Sequence, residues 1–130
     1  NHEDNGYRLG QRGTGNPSLL VGFEAALDLH FEIGPQRVYD RIRELGDRLR
    51  TGLSDIDGVE IVTPRDSMCV GLTTFKVRGV EDKEVQNQLW KLGRIQPRAL
   101  SEGRGIRFST HIYNSEDEVD RTLAILNDLL

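Results

Sequence analysis

The closing stretch of the chain, GIRFSTHIYNSEDEVDRTLAILNDLL from Gly105 to Leu130, sets an arginine in the middle of an apolar run. Side chains alternate across a strand, so if Ile106 and Phe108 face a core, Arg107 and Ser109 project from the opposite face. A planar guanidinium held there would bind a carboxylate through a two-point fork. The plainer alternative is a solvated sheet arginine. His111 follows in a loop beside Ile112 and Tyr113, where an imidazole equally well caps a strand end or covers the edge of the core. The single Cys69 has no Lys, His or helix start next to it in sequence, and reads as a small, partly buried residue entering a strand. Of the three lysines, Lys83 and Lys91 fall on a helix surface and Lys76 ends a strand, so all three read as solvent residues. Gly13-Thr14-Gly15-Asn16 places small residues before a helix start, where backbone N–H groups suit an anion. It lacks the G-x-x-x-x-G-K pattern and the preceding strand of a nucleotide-binding loop.

These residues need a frame. Asn1 to Gly15 is polar and glycine-bearing without apolar periodicity, which reads as an arm or linker. Asn16-Pro17 is an N-cap followed by proline at the first helical position, and Leu20, Phe23 and Leu27 recur at helical spacing until Gly34-Pro35. The next helix carries one apolar stripe, Val38, Ile42, Leu45, Leu49 and Leu53. Asp57-Gly58 turns the chain into a short run, Val59 to Val62, and a longer β-branched stretch from Val70 to Val77 reads as a central strand. Val85, Leu89 and Leu92 define a third helix ended by Gly93, with a short strand expected around Ile95. After Glu102-Gly103-Arg104-Gly105 comes the strand Ile106 to Ser109. Ser115-x-x-Glu118 is a capping box for a last helix with the stripe Val119, Leu123, Leu126 and Leu130. The order predicts an α+β domain, a small, largely antiparallel sheet of three to four strands covered by helices.

Composition narrows the function classes. With 36% hydrophobic and 29% charged residues in 130, one ordinary core is expected. The formal net charge of −4 and the scattered basic residues argue against nucleic acid and anionic membranes as partners. One cysteine and no C-x-x-C or H-E-x-x-H pattern point away from a disulfide or a structural metal and toward a cytoplasmic setting. The chain begins at Asn1 rather than at methionine, so a processed form or a piece of a longer protein is expected.

Two stretches carry a resemblance. QRGTGNPSLLVGFEAALDLHFEIGPQRVYDRIREL, with Arg12-Gly13-Thr14-x-Asn16 ahead of a long helix, and GIRFSTHIYNSEDEVDRTLAIL, with Arg-x-Ser-x-x-x-Tyr-Asn ahead of a terminal helix, are separated by GVEIVTPRD and the central elements. Together, over about Arg12 to Leu130, the chain resembles the C-terminal part of class V aminotransferases. These pyridoxal-phosphate enzymes include isopenicillin-N-epimerase-like proteins and cysteine desulfurases.

The resemblance implies the small domain of a fold-type I enzyme, with residues 1–15 as the arm from a preceding large domain and 16–130 as the small domain. It implies that Thr14, with Gly13 and Asn16 beside it, reaches the cofactor phosphate of the neighbouring subunit in a homodimer. Arg107 matches the arginine that grips the α-carboxylate of the amino-acid substrate. Arg98 matches an arginine after the family's preceding strand, and His111, Tyr113 and Asn114 match the strand-to-helix loop, with Arg98 and His111 as further candidate substrate contacts. The lysine that holds pyridoxal 5'-phosphate belongs to the large domain, so this chain by itself would not be catalytically competent. The desulfurase cysteine would stand between Arg98 and Arg107, and Leu100 to Gly105 contains none. Transamination, epimerisation and lyase chemistry therefore stay open. The competing reading from another class is a stand-alone α+β binding or regulatory module for a small acid or a protein partner.

Overall fold

A computed structural model describes residues 15–64 and 69–130. The chain falls into two compact units, one running to Pro35 and the other from Gln36 to Leu130. In the first, α1 (Pro17–Ile33) begins as its sequence predicts: Pro17 opens the helix and the Asn16 side chain accepts a hydrogen bond from Ser18 N at 3.0 Å. The chain leaves it through Gly34, whose φ of +97° suits a residue without Cβ.

The second unit holds the core. α2 (Pro35–Ser54) presents Val38, Leu45, Leu49 and Leu53 to the interior, with Ile42 half-buried on the same stripe. β1 (Val59–Ile61), β2 (Leu72–Val77), β3 (Arg98–Ala99) and β4 (Ile106–Ser109) form a four-stranded antiparallel sheet in the order β1-β2-β4-β3. α3 (Asp82–Gly93) and α4 (Glu116–Leu129) complete the layer of helices. Phe75 on β2 and Ile106 on β4 are directly paired and fully buried, and Phe75 also stacks on Phe108 with ring centroids 5.6 Å apart. Leu89 of α3 and Leu126 of α4 close the same core. Two bidentate pairs tie α4 back to α2, Arg41 to Glu116 and Arg48 to Asp120.

Several boundaries differ from expectation. β1 stops at Ile61 and β2 begins at Leu72, so Val62 and Val70 lie outside the strands. No strand forms around Ile95. The ladder falls at Arg98–Ala99, which pair with Arg107 and Ile106. Arg98 thus belongs to the strand rather than following it. Leu92 and Leu130 are exposed, because Gly93 and Leu129 take up the inward positions at those helix ends. Lys76 is half-buried within β2, opposite Glu60, where a free solvent lysine was expected. Among the described residues no helix is long and apolar enough to cross a membrane, and no group of three metal-ligating side chains occurs.

Candidate functional site

The strand register settles which side chains share the open face of the sheet. Thr74, Arg107 and Arg98 form one row across β2, β4 and β3, on the face opposite Phe75, Ile106 and Phe108. The predicted alternation around Arg107 is therefore observed. Arg98 and Arg107 stand directly opposite one another, although like charges in that relation repel. Arg107 is half-buried, and its Nε is shut away from solvent with no hydrogen-bond partner among the described residues. Buried donors are nearly always satisfied, and the Arg107 Nε is an exception among the described residues.

Other arginines of the chain set the contrast. Arg50, buried under α2, donates to Val70 O at 3.0 Å, to Thr73 Oγ1 at 3.1 Å and to Asp47 at 2.8 Å. Arg41 and Arg48 each hold a carboxylate. Those arginines are structural, and among the described residues Arg107 has no such partner.

Arg107 lines an open cleft of about 460 Å³. The cleft exists because β3 covers only half of β4. Ahead of Arg98 the chain veers away, held by Gln86 Nε2 donating to Pro97 O at 2.6 Å and by Arg94 in the left-handed conformation at φ +54°. This leaves a wedge between residues 94–98 and the outer half of β4, floored by Leu49, Phe108 and Val119. Residues Arg94, Arg98, Arg107 and Arg121 contribute to its wall, against one acid, Glu118, although the Arg98 and Arg107 side chains project to the face of the sheet opposite Phe108. The Glu118 carboxylate accepts from Ser115 N at 3.1 Å and from Asn114 Nδ2 at 3.0 Å, completing the predicted capping box. The Asn114 amide, followed by the Ser115 backbone, holds that carboxyl below its ordinary value. It stays ionised and turned toward the helix cap.

The remaining predicted site residues are dispersed. Asn114 does the structural work expected of the loop, with its Oδ1 accepting from His111 N at 2.9 Å. His111 is exposed and its ring stacks on Tyr113 at 4.8 Å, away from the lining of the cleft. Gly13 and Thr14 lie outside the described residues. The Asn16 side-chain oxygen is engaged by its own helix. Cys69 lies half-buried in the segment before β2, distant in sequence from the β3–β4 turn, which holds a 3-10 turn at Ser101–Gly103. Arg94 and Arg121 went unnoticed in the sequence. Arg94 next to Gly93 at a helix end was the available signal, but only folding brings it to the same cleft as Arg121.

Nothing in this cleft fits the covalent attachment of a carbonyl cofactor. Lys83 and Lys91 are exposed on α3, Lys83 bonding to Gln86 at 2.6 Å, and Lys76 is not among the residues lining the cleft. What the described residues fit is the anionic end of a ligand.

Comparison with known proteins places these observations in context. The family description Aminotransferase class-V matches residues 3–122. Isopenicillin N epimerase of Amycolatopsis lactamdurans is 36% identical over 121 residues, covering 90% of this chain and 30% of that protein. A probable hercynylcysteine sulfoxide lyase of Mycobacterium tuberculosis is 31% identical, covering 83% of this chain and 29% of its own length. The solved structure of an apo cysteine desulfurase from Thermococcus onnurineus NA1 superposes with a TM-score of 0.81 at 26% identity, over 92% of this chain and 32% of that one. The chain thus spans about 30% of the length of the curated relatives it matches.

Proposed function

Since the chain belongs to the aminotransferase class-V family, we propose that it is the substrate-positioning small domain of a longer pyridoxal-phosphate enzyme acting on an amino acid. The observation that carries this reading is Arg107: a side chain on the open face of the sheet whose buried Nε has no hydrogen-bond partner among the described residues, set opposite a second arginine. The bound pyridoxal 5'-phosphate supplies the electron sink for chemistry at the substrate Cα.

This domain supplies orientation. The Arg107 fork takes both oxygens of the α-carboxylate, and Arg98 across the ladder adds a second positive charge. Gly13 and Thr14, with Asn16 next to them, reach the cofactor phosphate of the neighbouring subunit in a homodimer. The absence of cysteine between Leu100 and Gly105 favours transamination, epimerisation or a lyase reaction over desulfuration.

The test is Arg107→Lys in the full-length enzyme. Lysine keeps the charge and loses the planar fork. A charge-assisted pair contributes about 1.5–3 kcal/mol, so kcat/KM for an amino acid should fall roughly ten- to a hundredfold. An amine lacking the carboxylate should be nearly indifferent to the change. Equal losses for both substrates, or none for either, would show that Arg107 is not the anchor.

A further inference from the structure

The side chains of α1 make an apolar surface that the described residues leave uncovered. None of its residues is buried, and Leu20, Phe23 and Phe31 are 67%, 63% and 65% exposed. At 3.6 residues per turn, Leu29, Leu19, Phe23, Leu27, Leu20 and Phe31, in that angular order, cover about 200° of the helix circumference. A helix lying on a single surface needs a stripe of only about 100°. Glu24, Asp28 and Glu32 recur every four residues and form an acidic row on the remaining side. This pattern suits a helix enclosed over most of its circumference, with one narrow row left in water.

Two occupants fit that arc poorly. The α1 helix of a second copy would cover one stripe and leave the rest of the apolar arc in water. A membrane surface would meet a polar row that carries acids on a helix without Lys or Arg, which anionic lipid repels. A third occupant is the rest of the polypeptide: the chain spans about 30% of the length of its curated relatives, so the larger part of such a protein lies outside it. We propose that α1 docks into an apolar groove of the large domain of the same polypeptide, and that the domain boundary falls at Gly34-Pro35 rather than ahead of Asn16. This rests on the reading of the chain as the small domain of a longer enzyme. The two compact units of the chain divide at Pro35, which agrees with that boundary. Because the large domain is covalently joined to α1, the groove meets the helix at high effective concentration.

The first test compares hydrogen exchange in the unmodified full-length enzyme and in this chain, so it does not depend on a variant folding. The α1 amides should exchange at least about a hundredfold more slowly in the full-length enzyme. Phe23→Gln combined with Leu27→Gln should lower the thermal midpoint of the full-length enzyme by about 5 °C or more. The same pair should shift this chain by no more than about 1 °C, because both positions are exposed in it. Glu24→Gln combined with Asp28→Gln should leave both proteins within about 1 °C. Equal exchange of α1 in the two proteins, or a full-length midpoint unmoved by the Phe23 and Leu27 changes, overturns the proposal. So does a dimer of this chain in sedimentation that those changes dissolve while α1 stays unprotected in the full-length enzyme, since the occupant is then a second copy. Protection of α1 in a full-length protein that binds no pyridoxal phosphate leaves the docking standing and removes the proposed function. Loss of that protection with the Arg107→Lys effect intact removes the docking alone.

Discussion

Replacing Arg107 with methionine should stabilise the ligand-free chain, although the same change should abolish its grip on a carboxylate. Leaving a buried polar group without a partner costs about 1–3 kcal/mol, and Arg107 Nε is such a group in a half-buried side chain, which points to the lower end of that range. The facing Arg98 adds repulsion of a few tenths of a kcal/mol, screened because Arg98 is exposed. Methionine retains the packing of the arginine stem against the sheet and carries neither the charge nor the unsatisfied N–H. The balance is about 1 kcal/mol in favour of the variant, equivalent to roughly 4 °C in Tm for a chain of this size. Urea unfolding of both proteins measures it, with the midpoint rising and the slope unchanged. Addition of a simple carboxylate such as acetate should narrow or reverse the difference, because only the parent binds it through this residue. A variant destabilised by 1 kcal/mol or more would refute the reasoning, since Arg107 would then have a structural partner and its open N–H would not be a prepared contact. The expected outcome is a trade of stability for binding at a functional position.

Two further outcomes follow from the frame of the site. Gly105 has φ +110° and its N–H bonds Asp82 at 2.8 Å, and a Cβ there would lie 2.6 Å from the carbonyl oxygen of Phe75; Gly105→Ala should therefore cost about 2–4 kcal/mol in urea unfolding, and a loss below 1 kcal/mol would mean the β3–β4 turn relaxes freely. Glu116 is held near a pKa of about 2 by its bond to Arg41, against an ordinary 4.5, and Arg48 lowers Asp120 likewise. Because both carboxylates are depressed in the folded state, their contribution is present above about 4.5 and is lost as pH falls toward 2. Unfolding midpoints measured over that window should drop, and Arg41→Met should flatten the slope; an unchanged slope would show that the Arg41 pair is not the source of the linkage.

Much of this molecule follows from local rules that operate within a few residues. The N-cap at Asn16, the capping box from Ser115 to Glu118, the stripe Val38, Leu45, Leu49 and Leu53, and the alternation that turns Arg107 away from Ile106 all depend on periodicity and short hydrogen bonds. The same local order carries the family resemblance, through Arg12-Gly13-Thr14 and the run from Arg107 to Asn114. Where strands end was less visible, because a ladder needs a partner: β3 is confined to Arg98–Ala99, the pair of residues that meets Arg107 and Ile106 of β4. The cleft itself was not visible at all. Arg94, Arg98, Arg107 and Arg121 come from three separate segments, and whether each arginine meets an acid, a carbonyl or nothing depends on packing between elements far apart in the chain. Sequence therefore determined that an arginine would leave the core face of a strand, while the tertiary structure decided that it would stand unpaired, opposite another arginine, at the wall of an open cleft. Alternation is a property of one strand, but an unsatisfied charge is a property of everything that fails to surround it.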